Sequence, residues 1–229
     1  MLPLPRPTAP SRPPSVLDPA EVLTDWMATA GEDDLQPRLL RLSDGRLLPL
    51  PVARWRGPVG RADESMLQRC VGPVLDVGCG PGRLTAALHA RGTEVLGLEL
   101  LPAVPVLARE ADAPLLLGDV FGPLPRTGQW QTVLLADGNV GIGGDPVRLL
   151  RRVHALLGPG GQALCELHPD GDTAAGGRVR LEGLGATSAW FPWVLLGRSG
   201  LAAAAAAARL AVGDGWEEQG RQFAALTRM

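Results

Sequence analysis

Lysine and tyrosine are missing from this 229-residue chain, and isoleucine occurs once, at Ile142. Ala, Leu, Gly, Pro and Arg are abundant instead, as a codon bias towards G and C would produce, so single Ala or Arg residues say little about function. Aromatics make up 4% of the chain, and the formal charge is −2 with a pI near 5.9. Such a balance has no global basic field to draw nucleic acid or anionic lipid, which argues against both as partners. The three cysteines, Cys70, Cys79 and Cys165, lie far apart without metal-ligand spacing, so no metal is expected. An odd count also cannot close a full disulfide framework, and a reducing cytoplasm is the expected location. No apolar run is long enough to span a bilayer: the opening MLPLPRPTAPSRPPS alternates Pro with Leu, Arg and Ser. What is present, 45% hydrophobic and 20% charged residues, is the profile of one domain able to bury a sizeable core.

Residues 1–15 read as a flexible Pro-rich tail. Residues 16–71 read as a helix and hairpin that form a lid: Val22, Leu23, Trp26 and Met27 mark one helical face, and Asp44-Gly45 supplies a turn between two Leu-rich runs. From residue 72 a strand-loop-helix rhythm takes over. Strands are expected at Val74–Val77, Glu94–Leu98, Leu115–Leu117, Thr132–Ala136 and Ala163–Leu167, and a helix at Arg83–Arg91. A further helix has Asp145 as N-cap, Pro146 in its first turn and Gly158-Pro159 as its stop. Its buried stripe would be Leu149, Leu150, Val153, Leu156 and Leu157, with Arg148, Arg151 and Arg152 left to water. Short apolar strands alternating with helices specify an α/β fold, a doubly wound, mostly parallel sheet with helices on both faces. The cofactor core would be residues 72–168. Residues 169–229 would add acceptor-side and C-terminal elements: a loop over 170–177, a short strand at Arg178–Leu181, an Ala-rich helix ending near Leu210, and a turn at Gly220-Arg221.

Ligands of such sheets bind beyond the carboxyl ends of the strands. In VLDVGCGPGR, Gly78, Gly80 and Gly82 follow the first strand at alternate positions, where a turn must be tight and backbone must approach a ligand. A nicotinamide fingerprint would place its third glycine one position later, where Arg83 stands. The second strand ends at Glu99, whose two oxygens are suited to a pair of sugar hydroxyls. Asp119 follows the third strand, placed to accept from an exocyclic amine beside Val120.

Together these residues resemble the class I S-adenosylmethionine-dependent methyltransferases, in which an acidic residue precedes a GxGxG loop. LDVGCGPGR resembles that family's first motif, Glu99 its ribose-binding acid, Asp119 its adenine-side acid, and DPVRLLRRVHALLGPGGQALCEL its helix-turn-strand after the fourth strand. The likeness runs from about Gly72 to Leu167. It implies a Rossmann-like fold whose last strand is antiparallel. S-adenosyl-L-methionine would be the cofactor, with Asp76, Gly78, Cys79, Gly80 and Gly82 along the methionine moiety and Leu100 and Val120 flanking the adenine.

The fourth-strand loop, ADGNVGIGGDP, lacks the Asn-Pro-Pro-aromatic motif of enzymes that methylate nucleic-acid bases or glutamine amides, so a small-molecule acceptor is expected. Asp137 could face cofactor or acceptor. Asn139, Trp55, Trp190 and Trp193 are candidate acceptor contacts, and the loop glycines could make room for a bulky one. Should a proton have to leave the acceptor, His168 is the histidine at a strand's carboxyl end, with an ordinary pKa of about 6.5, and Asp137 is its rival. Cys79 has no activating base in the local sequence. Two other readings stand beside the methyltransferase: a non-catalytic S-adenosylmethionine-binding protein and a nicotinamide-linked oxidoreductase.

Overall fold

The computed structural model describes residues 16–29, 37–102, 114–169 and 177–229. Residues 1–15 and most of the expected 170–177 loop lie outside these. The described chain builds two sheets. The larger has seven strands: β4 (Val74–Val77), β5 (Val95–Glu99), β6 (Leu115–Leu117), β7 (Trp130–Leu135), β8 (Leu157–Leu167), β12 (Leu210–Glu218) and β13 (Arg221–Arg228), in the order β12-β13-β8-β7-β4-β5-β6. Strands β6, β5, β4, β7 and β8 pair in parallel, and β13 is antiparallel to both of its neighbours. This is the Rossmann-like, mostly parallel sheet with an antiparallel last strand that the sequence pattern implies.

Alternation along the strands sends side chains to two cores. Leu75, Val77, Val133, Leu135, Ala163, Cys165 and Leu167 face α5 (Pro146–Leu156) and α6 (Arg198–Ala207). Val74, Leu134 and Leu164 face the side of α3 (Arg61–Leu67) and α4 (Arg83–Ala90). The central strands are buried on both faces, and so read as continuous apolar runs. The alanine run has a packing reason: Ala204, Ala205 and Ala208 belong to the main core, and small side chains let α6 lie close to α5.

Several local expectations differ from what is found. The arginines of α5 are not simply left to water. Arg152 donates from Nε to the Val120 carbonyl and from Nη2 to that of Gly122, and Arg148 lies 3.8 Å over the Phe121 ring. Asp145 does cap the helix, accepting from Arg148 N, but α5 ends at Leu156 and β8 starts at once, six residues before the expected strand. Leu210 opens β12 instead of closing the Ala-rich helix. The β12–β13 turn falls on Gln219 and Gly220, both at positive φ, one residue earlier than expected.

The smaller sheet joins segments from opposite ends of the chain. Its strands are β1 (Val16–Leu17), β2 (Leu39–Leu42), β3 (Leu47–Pro49), β9 (Arg178–Gly183), β10 (Ala186–Ser188) and β11 (Phe191–Pro192), in the order β1-β10-β9-β2-β3 with β11 also on β9. The β2–β3 hairpin turns at Asp44-Gly45, with Gly45 at φ +92°. Leu40 pairs with Leu181 and Leu42 with Val179, and this apolar face packs under Val22, Trp26 and Met27 of α1 (Pro19–Thr29). Neither segment could bury that face alone. Among the described residues no helix is long and apolar enough to cross a membrane.

Candidate active site

The glycine loop leaves β4 and returns as α4. Gly78, Gly80 and Gly82 all have positive φ, at +70°, +55° and +87°, a region that side chains bearing a Cβ rarely enter. Two amides of the loop, Gly78 N and Cys79 N, donate to the Leu98 carbonyl on β5, and Gly80 N donates to Glu99 Oε2 at 2.9 Å. A Cβ on Gly80 would meet nothing within 4 Å, so the loop presents open backbone there. At Gly78 a Cβ would stand 2.8 Å from Nδ2 of Asn139.

Glu99 is 7% exposed, and its carboxylate is already well used. Oε1 accepts from Leu100 N at 2.7 Å and Leu101 N at 2.9 Å, while Oε2 takes the Gly80 amide. Of about four lone-pair positions on a carboxylate, one on Oε2 is left for a ligand. That is one hydroxyl in this arrangement, where the sequence suggested two. Leu100 beside it is 63% exposed. Asp119 lies just past the end of β6, which pairs with β5 at Leu117 and Glu99; it is exposed, and only its Oδ1 is engaged, by Phe121 N. Val120 does not line an open surface: its side chain is 5% exposed within the main core.

Asp76 is 1% exposed and accepts from Thr85 Oγ1 at 2.8 Å. Burial pushes its carboxyl up to about 6, against the hydrogen bond from Thr85 and the charge of Arg83. Burial also raises the Cys79 thiol, which stays protonated and has no role as a nucleophile.

On the acceptor side, Asp137 ends β7 in the left-handed region at φ +51°, followed by Gly138 at +82°, so the chain reverses into the 3-10 turn Asn139–Gly141. Asn139, a candidate acceptor contact, directs Nδ2 at two carbonyls of the glycine loop, Val77 at 2.9 Å and Gly78 at 3.0 Å. The other glycines of this loop make room for protein and not for a bulky ligand. A Cβ on Gly141 would fall 2.0 Å from the Val194 carbonyl, one on Gly143 3.1 Å from the Phe121 ring, and one on Gly144 3.0 Å from Pro192. Trp193 bridges Ile142 through its backbone, and Trp55, Trp193 and Leu101 all pack on the small-sheet core. Trp190 packs on Arg180, whose guanidinium lies 5.1 Å from its ring. His168 directly follows β8, its backbone donating to Leu196 O.

A group of charges that sequence reasoning missed gathers beside Asp137. Three carboxylates, Asp63, Asp137 and Glu166, interleave with three guanidiniums, Arg54, Arg83 and Arg221. Arg83 closes on both oxygens of Asp63 and reaches Asp137 Oδ2 at 3.0 Å. Arg221 takes both oxygens of Glu166 and Oδ1 of Asp63, each at 2.7 Å. Arg54, from α2 (Val52–Arg56), donates to Asp137 Oδ1 at 2.7 Å, and Asp137 N donates to Glu166 Oε2. Burial alone would raise Asp63, but hydrogen bonds from Arg83, Gly60 N and Arg221 hold it at about 2. Both Asp137 oxygens are therefore engaged by guanidinium donors, which weighs against this carboxylate as a free base. The sequence signal for the group was faint. Arg83 directly follows the glycine loop, but its partners lie 20 and 54 residues away.

The arrangement fits a cofactor with a cationic centre and a sugar: open glycine backbone, one buried acid at Asp76, and a second acid held on the loop with spare acceptor capacity. The family model described as "Methyltransferase domain" matches residues 74–161. No curated protein sequence matches this one. Among solved structures, the fold is similar to an S-adenosylmethionine-dependent methyltransferase from Bacteroides fragilis in complex with S-adenosyl-L-homocysteine. The TM-score is 0.72 and the identity 20%, over 94% of this chain and 98% of that one. It is also similar to the Burkholderia thailandensis 1,6-didemethyltoxoflavin-N1-methyltransferase with its substrate and S-adenosylhomocysteine bound (TM-score 0.55, 20% identity, 74% and 77% of the two chains). A third is an S-adenosylmethionine-bound amino pentose methyltransferase from Micromonospora echinaspora (0.52, 26%, 77% and 94%).

Proposed function

We propose that this chain, which belongs by its methyltransferase domain and fold to the class I S-adenosylmethionine-dependent methyltransferases, methylates a small-molecule acceptor beneath a lid made of the small sheet, α1 and α2. The observation that carries the cofactor side is the Gly80 N–H···Glu99 hydrogen bond, which holds the open loop and the acid as one unit. When bound, S-adenosyl-L-methionine supplies a methyl group already activated by its sulfonium.

This chain's own residues have to bind, orient and exclude water. Gly78, Cys79, Gly80, Gly82 and Asp76 form the methionine side, Glu99 the ribose side, and Leu100 and Asp119 the adenine side. Aligning an acceptor in line with the methyl replaces an encounter in solution by a bound geometry, which is a large part of what such an enzyme must contribute. The lid reading is supported by Leu101, two residues past Glu99, packing on the small-sheet core together with Trp55 and Trp193. Small-molecule acceptors are also what the Burkholderia and Micromonospora proteins are described as methylating. His168 is the proposed base where the acceptor must lose a proton, since the Asp137 oxygens are engaged by Arg54 and Arg83.

Calorimetry with S-adenosylhomocysteine, followed by assay of its production from S-adenosylmethionine in a metabolite extract, tests the proposal. Binding together with turnover supports it. Binding without turnover in any extract favours the non-catalytic binder, and no binding overturns the cofactor assignment.

A further inference from the structure

We propose that Asn139 is a positioning residue that sets the glycine loop for its cofactor, and that docking of the small sheet is relayed to the loop through the Asn139–Gly141 turn. The inference rests on the cofactor reading above and adds to it a connection between the two halves of the site.

The argument starts from where the loop's carbonyls go. A Gly-rich loop is conformationally permissive, so something must select one of its many shapes. The Gly78, Cys79 and Gly80 amides are held from the β5 side by Leu98 and Glu99. The Val77 and Gly78 carbonyls are held from the β7 side, both by Nδ2 of Asn139, the only asparagine in the chain. The loop is thus clamped from two neighbouring strands, and Gly80 N can meet Glu99 only while the preceding peptides keep their orientation. Asn139 fits so closely that Gly78 tolerates no Cβ: an added carbon would stand 2.8 Å from Nδ2. Asp in this place would have the same shape but would set an anion against two carbonyl oxygens.

The second half of the inference lies on the other side of the turn. Asn139 N donates to Ala136 O, Gly141 N to Gly138 O and Ile142 N to Asn139 O, which makes a short rigid unit. That unit is gripped by the chain entering from the small sheet: Val194 N donates to Gly141 O at 3.3 Å, and Ile142 pairs with Trp193. A Cβ on Gly141 would fall 2.0 Å from the Val194 carbonyl, so the two backbones are in contact with no side chain between them. Displacing the 193–194 segment would therefore move the turn, and with it the amide that holds the loop.

The experiment measures S-adenosylhomocysteine affinity by calorimetry for the full-length wild type, Asn139→Ala, Asn139→Asp, Gly141→Ala and the Asn139→Ala/Gly141→Ala double variant. Each is paired with a ligand-free melting curve and hydrogen exchange at the Gly78–Gly82 amides. Asn139→Ala should weaken binding at least tenfold and speed exchange at the loop, with Asn139→Asp at least as weak. Gly141→Ala should weaken binding by itself but add little in the Asn139→Ala background, because both act through one amide. Wild-type affinity in Asn139→Ala overturns the positioning role, as does a lowered melting temperature with unchanged affinity and loop exchange. Effects that simply multiply overturn the relay. If Gly141→Ala does not fold, Trp193→Leu takes its place in the cycle. A wild type that does not bind S-adenosylhomocysteine removes the cofactor reading itself; a binding wild type with an equally good Asn139→Ala removes this inference alone.

Discussion

Asp63 and Arg221 stand 158 residues apart in the chain, yet Nη1 of Arg221 donates to Oδ1 of Asp63 at 2.7 Å. That contact ties α3 to the last strand of the large sheet, and Arg83 ties both to the helix that follows the glycine loop. The charges beside the site therefore also fasten the fold.

Asp63→Asn should be severely destabilising, because it leaves two buried guanidiniums short of their partner. Removing one member of a buried ion pair typically costs about 3–5 kcal/mol. Asp63 is held at about 2 in the folded chain, below its ordinary value of 3.8. Between those values the unfolded chain binds more protons than the folded one, so stability rises with pH there and is lost as pH falls from about 4 towards 2. Urea melts across that range should show a slope in the wild type that Asp63→Asn lacks.

The opposite sign is expected at Asp76. Its carboxyl sits at about 6 when folded against 3.8 when free, so the folded chain binds more protons between those values. Its contribution to stability is complete below about pH 4 and is lost as pH rises through 6. Asp76→Asn can still accept from Thr85 and carries no buried charge. It should melt higher than wild type at pH 7.5 without ligand and bind S-adenosylhomocysteine less tightly. A variant no more stable than wild type at pH 7.5 would contradict the burial argument.

Glu99→Ala should weaken S-adenosylhomocysteine binding by at least about tenfold, since hydrogen bonds to a charged group are typically worth ~1.5–3 kcal/mol. It also frees the Gly80, Leu100 and Leu101 amides. Asp119→Ala should cost less, because that side chain is exposed and only one of its oxygens is engaged within the chain. Calorimetry on both folded variants decides the ranking, and equal losses would contradict it.

Once an acceptor is in hand, the rate of methyl transfer against pH separates His168 from Asp137. His168→Gln should lower turnover and remove the acidic limb near the ordinary imidazole range. Asp137→Asn should leave that limb in place while weakening the charge group around it. An unchanged limb in His168→Gln would take this residue out of the mechanism and leave positioning as the main catalytic contribution.

The sequence by itself determined the local order of the large sheet. Val74–Val77 and Leu115–Leu117 are strands with the bounds their apolar runs imply, because a strand buried on both faces needs a continuous apolar segment. The three glycines, the acid at Glu99 and the Asp145 cap were legible for a similar reason: each depends on backbone geometry within a few residues. What only the tertiary structure decided is everything that joins distant segments. Leu40 opposite Leu181, Arg221 on Asp63 and Glu166, and Asn139 on the Val77 and Gly78 carbonyls leave no periodicity or spacing to read. Val120 shows the same limit, since its place beside Asp119 suggested a ligand, whereas the core closed over it. Pairing across 60 to 160 residues is set by where the sheet order brings strand ends together, and a single sequence carries that information only in the packing of the whole.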